Sequence, residues 1–138
     1  MVGGYVEKSC GCIIFDGDKL LVVKQRSCIY GFPKGHVEEG ETEIMTAIRE
    51  TKEEVGLDVY VDPNLRFTIK YLVKEDKLKE VVYFISFLKN NNDVVIQEEE
   101  IDSYMWVDID EVYDILTFDN LKNLWNEALE KYKEIYNG

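Results

Sequence analysis

Long apolar runs and basic side chains are both scarce in this sequence. No apolar run approaches the ~20 residues that a membrane span needs, and the first ten residues lack the apolar stretch of a secretion signal. We therefore expect a cytoplasmic protein with no membrane partner. Sixteen lysines and arginines stand against 28 aspartates and glutamates, which gives a formal net charge of −12. Such a charge argues against non-specific binding to nucleic acid, which requires basic patches, but a phosphorylated small molecule remains possible because metal ions supply local positive charge.

Cysteine and proline are also few. Cys10, Cys12 and Cys28 form an odd set, and no second cysteine pair or nearby histidine completes a zinc pattern. We therefore expect reduced, partly buried thiols without a metal role. With two prolines and 46% hydrophobic residues the chain is expected to be globular, and 138 residues fit one domain spanning 1–138, which we expect to be a monomer.

Apolar periodicity divides the chain into strands and two helices. The stretch YVEKSCGCIIFDGDKLLVVKQR is typical of two strands joined by a turn at Asp16-Gly17-Asp18. Helical spacing covers residues 42–55, with Gly56 placed to end the helix in the left-handed conformation, and helical spacing returns from about residue 117. The strand-like segments between them are LDVYV, RFTIKYLVKE, KEVVYFISFLK and SYMWVDI. This order predicts an α/β protein with one mixed sheet covered by helices.

The central helix collects three like charges, although like-charge neighbours cost a helix roughly 0.2–0.5 kcal/mol per pair. On a helical wheel, Glu50, Glu53 and Glu54 fall together, opposite an apolar face. That apolar face consists of Ile44, Ala47, Ile48, Thr51 and Val55. A solvated acidic face is the ordinary interpretation of such a cluster. However, clustered carboxylates beside a glycine-rich loop with free backbone carbonyls are typical of Mg²⁺ or Mn²⁺ sites, so we predict an outward-facing three-carboxylate patch.

Together the residues GHVEEGETEIMTAIRETKEEVGL, from 35 to 57, resemble the Nudix box. Its fixed positions are occupied by Gly35, Glu41, Arg49, Glu50, Glu53, Glu54 and Gly56, with Leu57 closing the motif. One position departs from the family pattern: Thr51 stands at the bulky apolar site, and we expect its methyl group to pack at the edge of the apolar face. The resemblance implies a Nudix fold, an α/β/α sandwich around a mixed sheet, and hydrolysis of a diphosphate bond assisted by Mg²⁺ or Mn²⁺.

The resemblance also implies roles for the box residues. The metal ligands would be the carbonyl of Gly35 and the carboxylates of Glu50, Glu53 and Glu54. Glu53 occupies the position most often assigned as general base, and Glu50 belongs to the same catalytic group. Bound cations would then offset the repulsion among the three carboxylates and lower the pKa of a bound water.

Two further pairs of residues follow from the same resemblance. Glu41 and Arg49 would form an ion pair that braces the loop against the helix, because an arginine fork suits a carboxylate. The loop QEEEIDSYMW would supply one more catalytic carboxylate and metal ligand. Glu100 fits that position best and Glu99 is the alternative, while a solvated acidic loop is the other interpretation.

YGFPKGHVEEGE, which overlaps the start of the box, and the later segments KEVVYFISFL and EEIDSYMWVDIDE resemble the asymmetrical diadenosine tetraphosphate hydrolases within the family. By that resemblance, Lys34, His36 and Lys79 would contact substrate phosphates, although His36 is also compatible with a merely solvated histidine and Lys79 with an ordinary surface lysine. Tyr83 would stack on adenine and Phe118 would be a weaker second platform. Both aromatic residues also fit core positions of their elements.

The implied function is Mg²⁺-dependent hydrolysis of diadenosine tetraphosphate, a small-molecule substrate, to ATP and AMP. A housecleaning enzyme that converts nucleoside triphosphates to monophosphates and pyrophosphate is the alternative. A non-catalytic nucleotide-sensing domain is a second alternative, against which the intact Glu50, Glu53 and Glu54 argue. An RNA 5′-end pyrophosphohydrolase is disfavoured because RNA binding needs a basic track.

Overall fold

A computed structural model describes residues 5–74, 76–90 and 93–136 of the chain. Within those residues the elements are β1 (Tyr5–Asp16), β2 (Lys19–Gln25), β3 (Tyr30–Gly31), β4 (Lys34–His36), α1 (Glu43–Val55), β5 (Val59–Lys74), β6 (Lys77–Leu88), β7 (Ile101–Asp108), a 3₁₀ turn (Ile109–Glu111), α2 (Val112–Ile115) and α3 (Asp119–Tyr136). None of the helices in this part of the chain is both long and apolar enough to cross a membrane.

The seven strands of the described residues form one mixed sheet in the order β3-β2-β1-β6-β5, with β4 paired to β1 and β7 paired to β2. The β1–β6 pair is parallel, whereas the other pairs are antiparallel. Strand β1 changes partner along one edge: it pairs with β4 near Ser9 and with β2 only at its end, where Phe15 is opposite Leu20. This change of partner separates β4 from β2, and the candidate site lies beside it.

Alternation along the strands gives the sheet one apolar core on each face. Ile13 and Phe15 of β1 pack with the buried residues of α3, including Trp125. Cys12 and Ile14 of the same strand point to the opposite core, which contains the buried residues of α1. Successive strand residues point to opposite faces, so helices cover both sides of the sheet. The predicted α/β/α sandwich around a mixed sheet is confirmed.

Local signals placed α1 correctly. The side chain of Thr42 caps its start by accepting from the Met45 N–H at 3.1 Å. Gly56 ends the helix with φ of 71°, and its N–H donates to the Lys52 carbonyl at 3.0 Å. Such a left-handed cap favours glycine because a Cβ is strained there. The turn after β1 likewise contains Gly17 with φ of 61°.

Two sequence predictions need correction, one about a strand and one about a cysteine. LDVYV and RFTIKYLVKE are not separate strands: both belong to β5, which pairs with β6 across an irregularity between Val61 and Arg66. A single long partner strand holds both segments in one ladder, and the extra residues are accommodated as a bulge.

Cys10 and Cys12 are buried free thiols, but Cys28 is exposed rather than partly buried.

Candidate active site

Arg49 joins the loop before α1 to the helix itself. Its Nε and Nη2 donate to the two carboxylate oxygens of Glu41 at 2.6 and 3.0 Å, and Nη2 also donates to the His36 carbonyl at 2.9 Å. The predicted brace is therefore present, and hydrogen bonding by Arg49 lowers the pKa of Glu41 to about 2. The sequence did not indicate that Nη1 also reaches Glu50 at 3.2 Å and Glu53 at 3.0 Å.

The prediction that Glu54 faces outward with the other two carboxylates is wrong. Its side chain is buried, with 6% exposure, whereas Glu53 is exposed. One oxygen, Oε1, accepts from the backbone N–H of Lys34 at 3.3 Å, so β4 lies against this face of the helix. Burial, with smaller contributions from the charges of Glu50 and Glu100, raises the pKa of Glu54 to about 8.

Glu50 lies between these two carboxylates, against the glycine of β4. A Cβ added to Gly35 would stand 1.4 Å from Oε2 of Glu50, so only a residue without a side chain allows this approach. Burial raises the pKa of Glu50 to about 7, and the hydrogen bond with Glu53 is the next largest cause. The helix thus presents three carboxylates in three environments: exposed, half-buried and buried.

A cavity of about 330 Å³ collects most of the predicted chemistry. It is lined by Ser9, Gln25, Arg26, Ser27, Lys34, Gly35, His36, Glu50, Glu54, Lys79, Glu100 and Ile101. Of the two alternatives in the 97–101 loop, Glu100 contributes to this carboxylate cavity and Glu99 does not. Glu53 stands outside its lining, with its carboxylate held by Arg49.

The donor types in the carboxylate cavity suit a divalent cation. Among the described residues, no group of three His, Cys, Asp or Glu side chains is already arranged to hold a metal ion. Yet Glu50, Glu54 and Glu100 line one cavity, and burial, with a smaller contribution from the neighbouring carboxylates, raises the pKa values of Glu50 and Glu54. Carboxylate and carbonyl oxygens are the ligands that Mg²⁺ prefers, so the residues fit the ion in chemical type.

A second, more apolar groove of about 410 Å³ adjoins the carboxylate cavity. Its lining comprises Gln25, Ile29, Gly31, Phe32, Lys34, Ile69, Tyr71, Lys79, Val81, Tyr83, Phe118, Asn120 and Leu121. Gln25, Lys34 and Lys79 line both spaces, so two lysines stand at their junction. Lys79 lies within β6. Burial, with Lys79 next, lowers the pKa of Lys34.

The two predicted aromatic platforms differ in exposure. Tyr83 is 2% exposed and packs edge to face against Phe32, with ring centroids 5.5 Å apart. Phe118 is 51% exposed and precedes α3 at the rim of the apolar groove. Tyr71 also lines the groove, and the sequence analysis missed it, although its alternation with Ile69 along β5 was a usable signal. The stacking roles of Tyr83 and Phe118 stay predictions.

His36 is exposed and its ring is hydrogen-bonded to the side chain of Glu7 on β1. The bond to His36, followed by that to Lys77, lowers the pKa of Glu7 to about 2. This partner lies 29 positions away in the sequence, and no local pattern pointed to it. The predicted contact of His36 with substrate phosphate stays a prediction.

Comparison with known proteins decides the family. The family model described as the NUDIX domain matches residues 7–131. The chain belongs to the Nudix family. The predictions of a Nudix fold and of a Nudix hydrolase are thereby confirmed.

Two relatives of this Nudix hydrolase are similar over most of its length. A Sus scrofa protein named bis(5′-nucleosyl)-tetraphosphatase (asymmetrical) is 30% identical over 136 residues, covering 88% of this chain and 92% of that protein. A crystal structure of a C. elegans Ap4A hydrolase binary complex has a TM-score of 0.80 at 26% identity and covers 93% of this chain and 98% of that chain. The E. coli dihydroneopterin triphosphate pyrophosphohydrolase, at 19% identity and a TM-score of 0.71, shares the fold.

Proposed function

We propose that this Nudix hydrolase cleaves diadenosine tetraphosphate to ATP and AMP with Mg²⁺ or Mn²⁺, as a monomer in the cytoplasm. The observation that carries the proposal is the junction of the two spaces at Lys34 and Lys79. A nucleoside needs an apolar, aromatic surface, and a polyphosphate chain needs cations beside it. The similarity to the Sus scrofa and C. elegans enzymes supports the same substrate class.

In the proposed mechanism the carboxylate cavity holds the reacting phosphate. Glu50, Glu53, Glu54, Glu100 and the Gly35 carbonyl would hold the cations. Divalent ions, when bound there, neutralise phosphate oxygens and lower the pKa of a coordinated water. Glu53 would accept the proton of the attacking water, although its carboxylate lies outside the cavity lining and accepts from Arg49 in this structure.

Lys34 and Lys79 orient the substrate in this scheme. Their position at the junction lets them hold phosphates while the base occupies the apolar groove. A cation beside the reacting phosphate gains importance as charge develops in the transition state. Lys34 is half-buried, which strengthens that attraction because water screens its charge less.

Hydrolysis of nucleoside triphosphates to monophosphates and pyrophosphate is the second candidate. The apolar groove of about 410 Å³ is favourable to it, because a single base site suffices for a mononucleotide. The shared fold with a triphosphate pyrophosphohydrolase is compatible with this reaction as well.

Chromatographic product analysis with Mg²⁺ tests the proposal directly. With diadenosine tetraphosphate we expect ATP and AMP in equal amounts, and with nucleoside triphosphates much slower release of pyrophosphate. Two molecules of ADP, or faster turnover of triphosphates, would contradict the proposal. The matched control is Glu53→Gln, for which we expect at least about a hundredfold loss in kcat at an unchanged Tm, the low end for removing an acid–base group.

A further inference from the structure

The loop that carries Glu100 is tied to the end of β2 by Arg26. The backbone N–H of Arg26 donates to the carbonyl of Glu100 at 3.0 Å, and its guanidinium Nε donates to the carbonyl of Glu98 at 2.5 Å. These two bonds join residues more than 70 positions apart in the sequence. Arg26 itself lines the carboxylate cavity beside Glu100.

The other end of the same turn is tied to α1. The N–H of Gln97 donates to the Glu54 carbonyl at 2.9 Å, and the Gln97 carbonyl accepts from the N–H groups of Glu100 at 3.1 Å and Ile101 at 2.9 Å. The backbone of Glu100 is therefore two hydrogen bonds away from that of Glu54. Arg26 holds the opposite side of the turn.

The pairing of β2 with β7 changes register directly before Arg26. Lys24 pairs with Ser103 but Gln25 pairs with Ile101, so Asp102 is the extra residue of a bulge between β2 and β7. Bulges redirect the chain and aim nearby side chains. Glu100 is an exposed turn residue directly before the buried Ile101, so the direction of its carboxylate depends on the bonds that hold the turn beyond this bulge.

We propose that Arg26 is a positioning residue that holds the 98–100 turn, so that the Glu100 carboxylate faces the carboxylate cavity. Arg26 acts through the hydrogen bonds that its Nε donates to the Glu98 carbonyl and its backbone N–H donates to the Glu100 carbonyl. Glu100 in turn adds its carboxylate to the cavity that Glu50 and Glu54 also line. The inference rests on the proposed function in one respect: it takes Glu100 to be a cation ligand of that site.

The test is a double-mutant cycle of Arg26→Ala and Glu100→Gln, read by steady-state kinetics and by Mn²⁺ affinity, with free Mn²⁺ followed by electron paramagnetic resonance. Outer partners that orient metal ligands typically contribute 10–100-fold in metal affinity or activity. We expect Arg26→Ala to lower kcat and Mn²⁺ affinity by about tenfold or more within that range, with KM little changed. In the Glu100→Gln background the same substitution should have almost no further effect, because in this proposal Arg26 acts on the site only by orienting the Glu100 carboxylate.

Lys24→Ala is the matched control. Lys24 forms an ion pair with Asp102 at 3.5 Å across the same strand pair, yet its side chain is not part of the cavity lining. We expect this variant to keep the wild-type kcat and Mn²⁺ affinity. Arg26→Lys should recover part of the loss, because its ammonium can donate to the same Glu98 carbonyl.

Independent, multiplying effects of the two substitutions would overturn the proposal, since they would indicate that Arg26 contacts the substrate directly. An unchanged Mn²⁺ affinity in Arg26→Ala would overturn it as well. If the wild type does not cleave diadenosine tetraphosphate, the proposed function fails, but the Mn²⁺ cycle still decides the role of Arg26. Should Arg26→Ala fail to fold, Arg26→Met carries the same cycle, because it keeps the aliphatic part of the side chain and removes every side-chain donor.

Discussion

At the scale of the residue, strand β4 cannot carry a side chain at Gly35, because the Glu50 carboxylate occupies that space. The space that a Cβ would take is filled by the Glu50 carboxylate, 1.4 Å from the ideal position. Any larger residue must push that carboxylate away from the cavity. The glycine therefore serves the site rather than a turn.

Gly35→Ala should consequently lower kcat while leaving Tm nearly unchanged. A misplacement of about 1 Å can cost a hundredfold in rate, so we expect a loss on the order of a hundredfold in kcat. The contrasting variant is Gly17→Ala in the hairpin turn, where φ is 61° and an added Cβ would have no atom within 4 Å apart from its chain neighbours. It should lower the free energy of unfolding by roughly 1 kcal/mol with normal kcat. Normal kinetics in Gly35→Ala would count against a working role for Glu50.

The second prediction at this scale concerns the base platform. Phe118→Ala should raise KM for diadenosine tetraphosphate roughly ten- to hundredfold, because stacking contributes on the order of 1–3 kcal/mol per base. Its kcat should change less, since stacking is similar in ground and transition states. Tyr83→Ala should instead unfold the protein more easily, by about 3–5 kcal/mol, because its ring is buried.

Steady-state kinetics and denaturant titration on the same preparations separate these two outcomes. Tyr113→Ala removes a comparably exposed aromatic residue outside the groove and serves as the control. If Tyr83→Ala raises KM and keeps its stability, the earlier prediction that Tyr83 stacks on adenine is correct and Phe118 is secondary.

At the scale of the element, α1 is held at its start by an ion-pair cluster around Glu43, seven positions before Glu50. Glu43 accepts from Nε and Nη2 of Arg66 on β5 at 2.7 and 2.8 Å, and it also contacts Lys8 of β1. Hydrogen bonds from Arg66, and secondarily from Lys8, lower the pKa of Glu43 to about 2 although burial acts in the opposite direction. The cluster connects the helix to two strands.

This cluster predicts a pH-dependent contribution to stability. Because the pKa of Glu43 is about 2 in the folded protein and 4.5 ordinarily, its stabilisation is complete above about pH 4.5 and is lost as the pH falls towards 2. At pH 7 Glu43→Gln should cost about 1 kcal/mol, because the pair is partly exposed. The Tm difference from wild type should shrink between pH 4.5 and 2, whereas exposed Glu130→Gln should show little difference throughout. A constant difference would refute the assignment.

At the scale of the whole molecule, the sheet order determines how the carboxylates converge. β4 pairs with β1 and lies against α1, while the end of β2 meets the loop before β7. The site therefore draws on four separate parts of a strongly acidic chain. Such a cluster is expected to be electrostatically unfavourable until cations bind.

Millimolar Mg²⁺ or Mn²⁺ should accordingly raise the Tm of the folded protein. A ligand that binds only the folded state contributes about 2.7 kcal/mol at a hundred times its Kd. With a net charge of −12, any added salt screens repulsion, so KCl of equal ionic strength is the necessary control. Glu50→Gln should reduce the metal-specific part of the shift. Equal shifts with KCl and MgCl₂ would speak against a cation site.

The sequence by itself determined the features that depend on neighbours along the chain. The start of α1 after Thr42, its end at Gly56 and the turn at Gly17 follow from local backbone preferences. The spacing of the carboxylates on α1 and the mixed sheet with covering helices were equally accessible, because periodicity reports which side of an element is apolar.

The tertiary structure decided what stands against each of those sides. Glu54 is on the predicted face of α1, yet β4 covers it, and no helical wheel contains β4. The burial of Tyr83 and the pairing of Glu7 with His36 likewise depend on contacts between distant segments. Arg26 and Glu98 are 72 positions apart, and only the pairing of β2 with β7 brings them together. Local sequence sets the orientation of a side chain on its element, but its surroundings are set by the other elements that the fold packs against it.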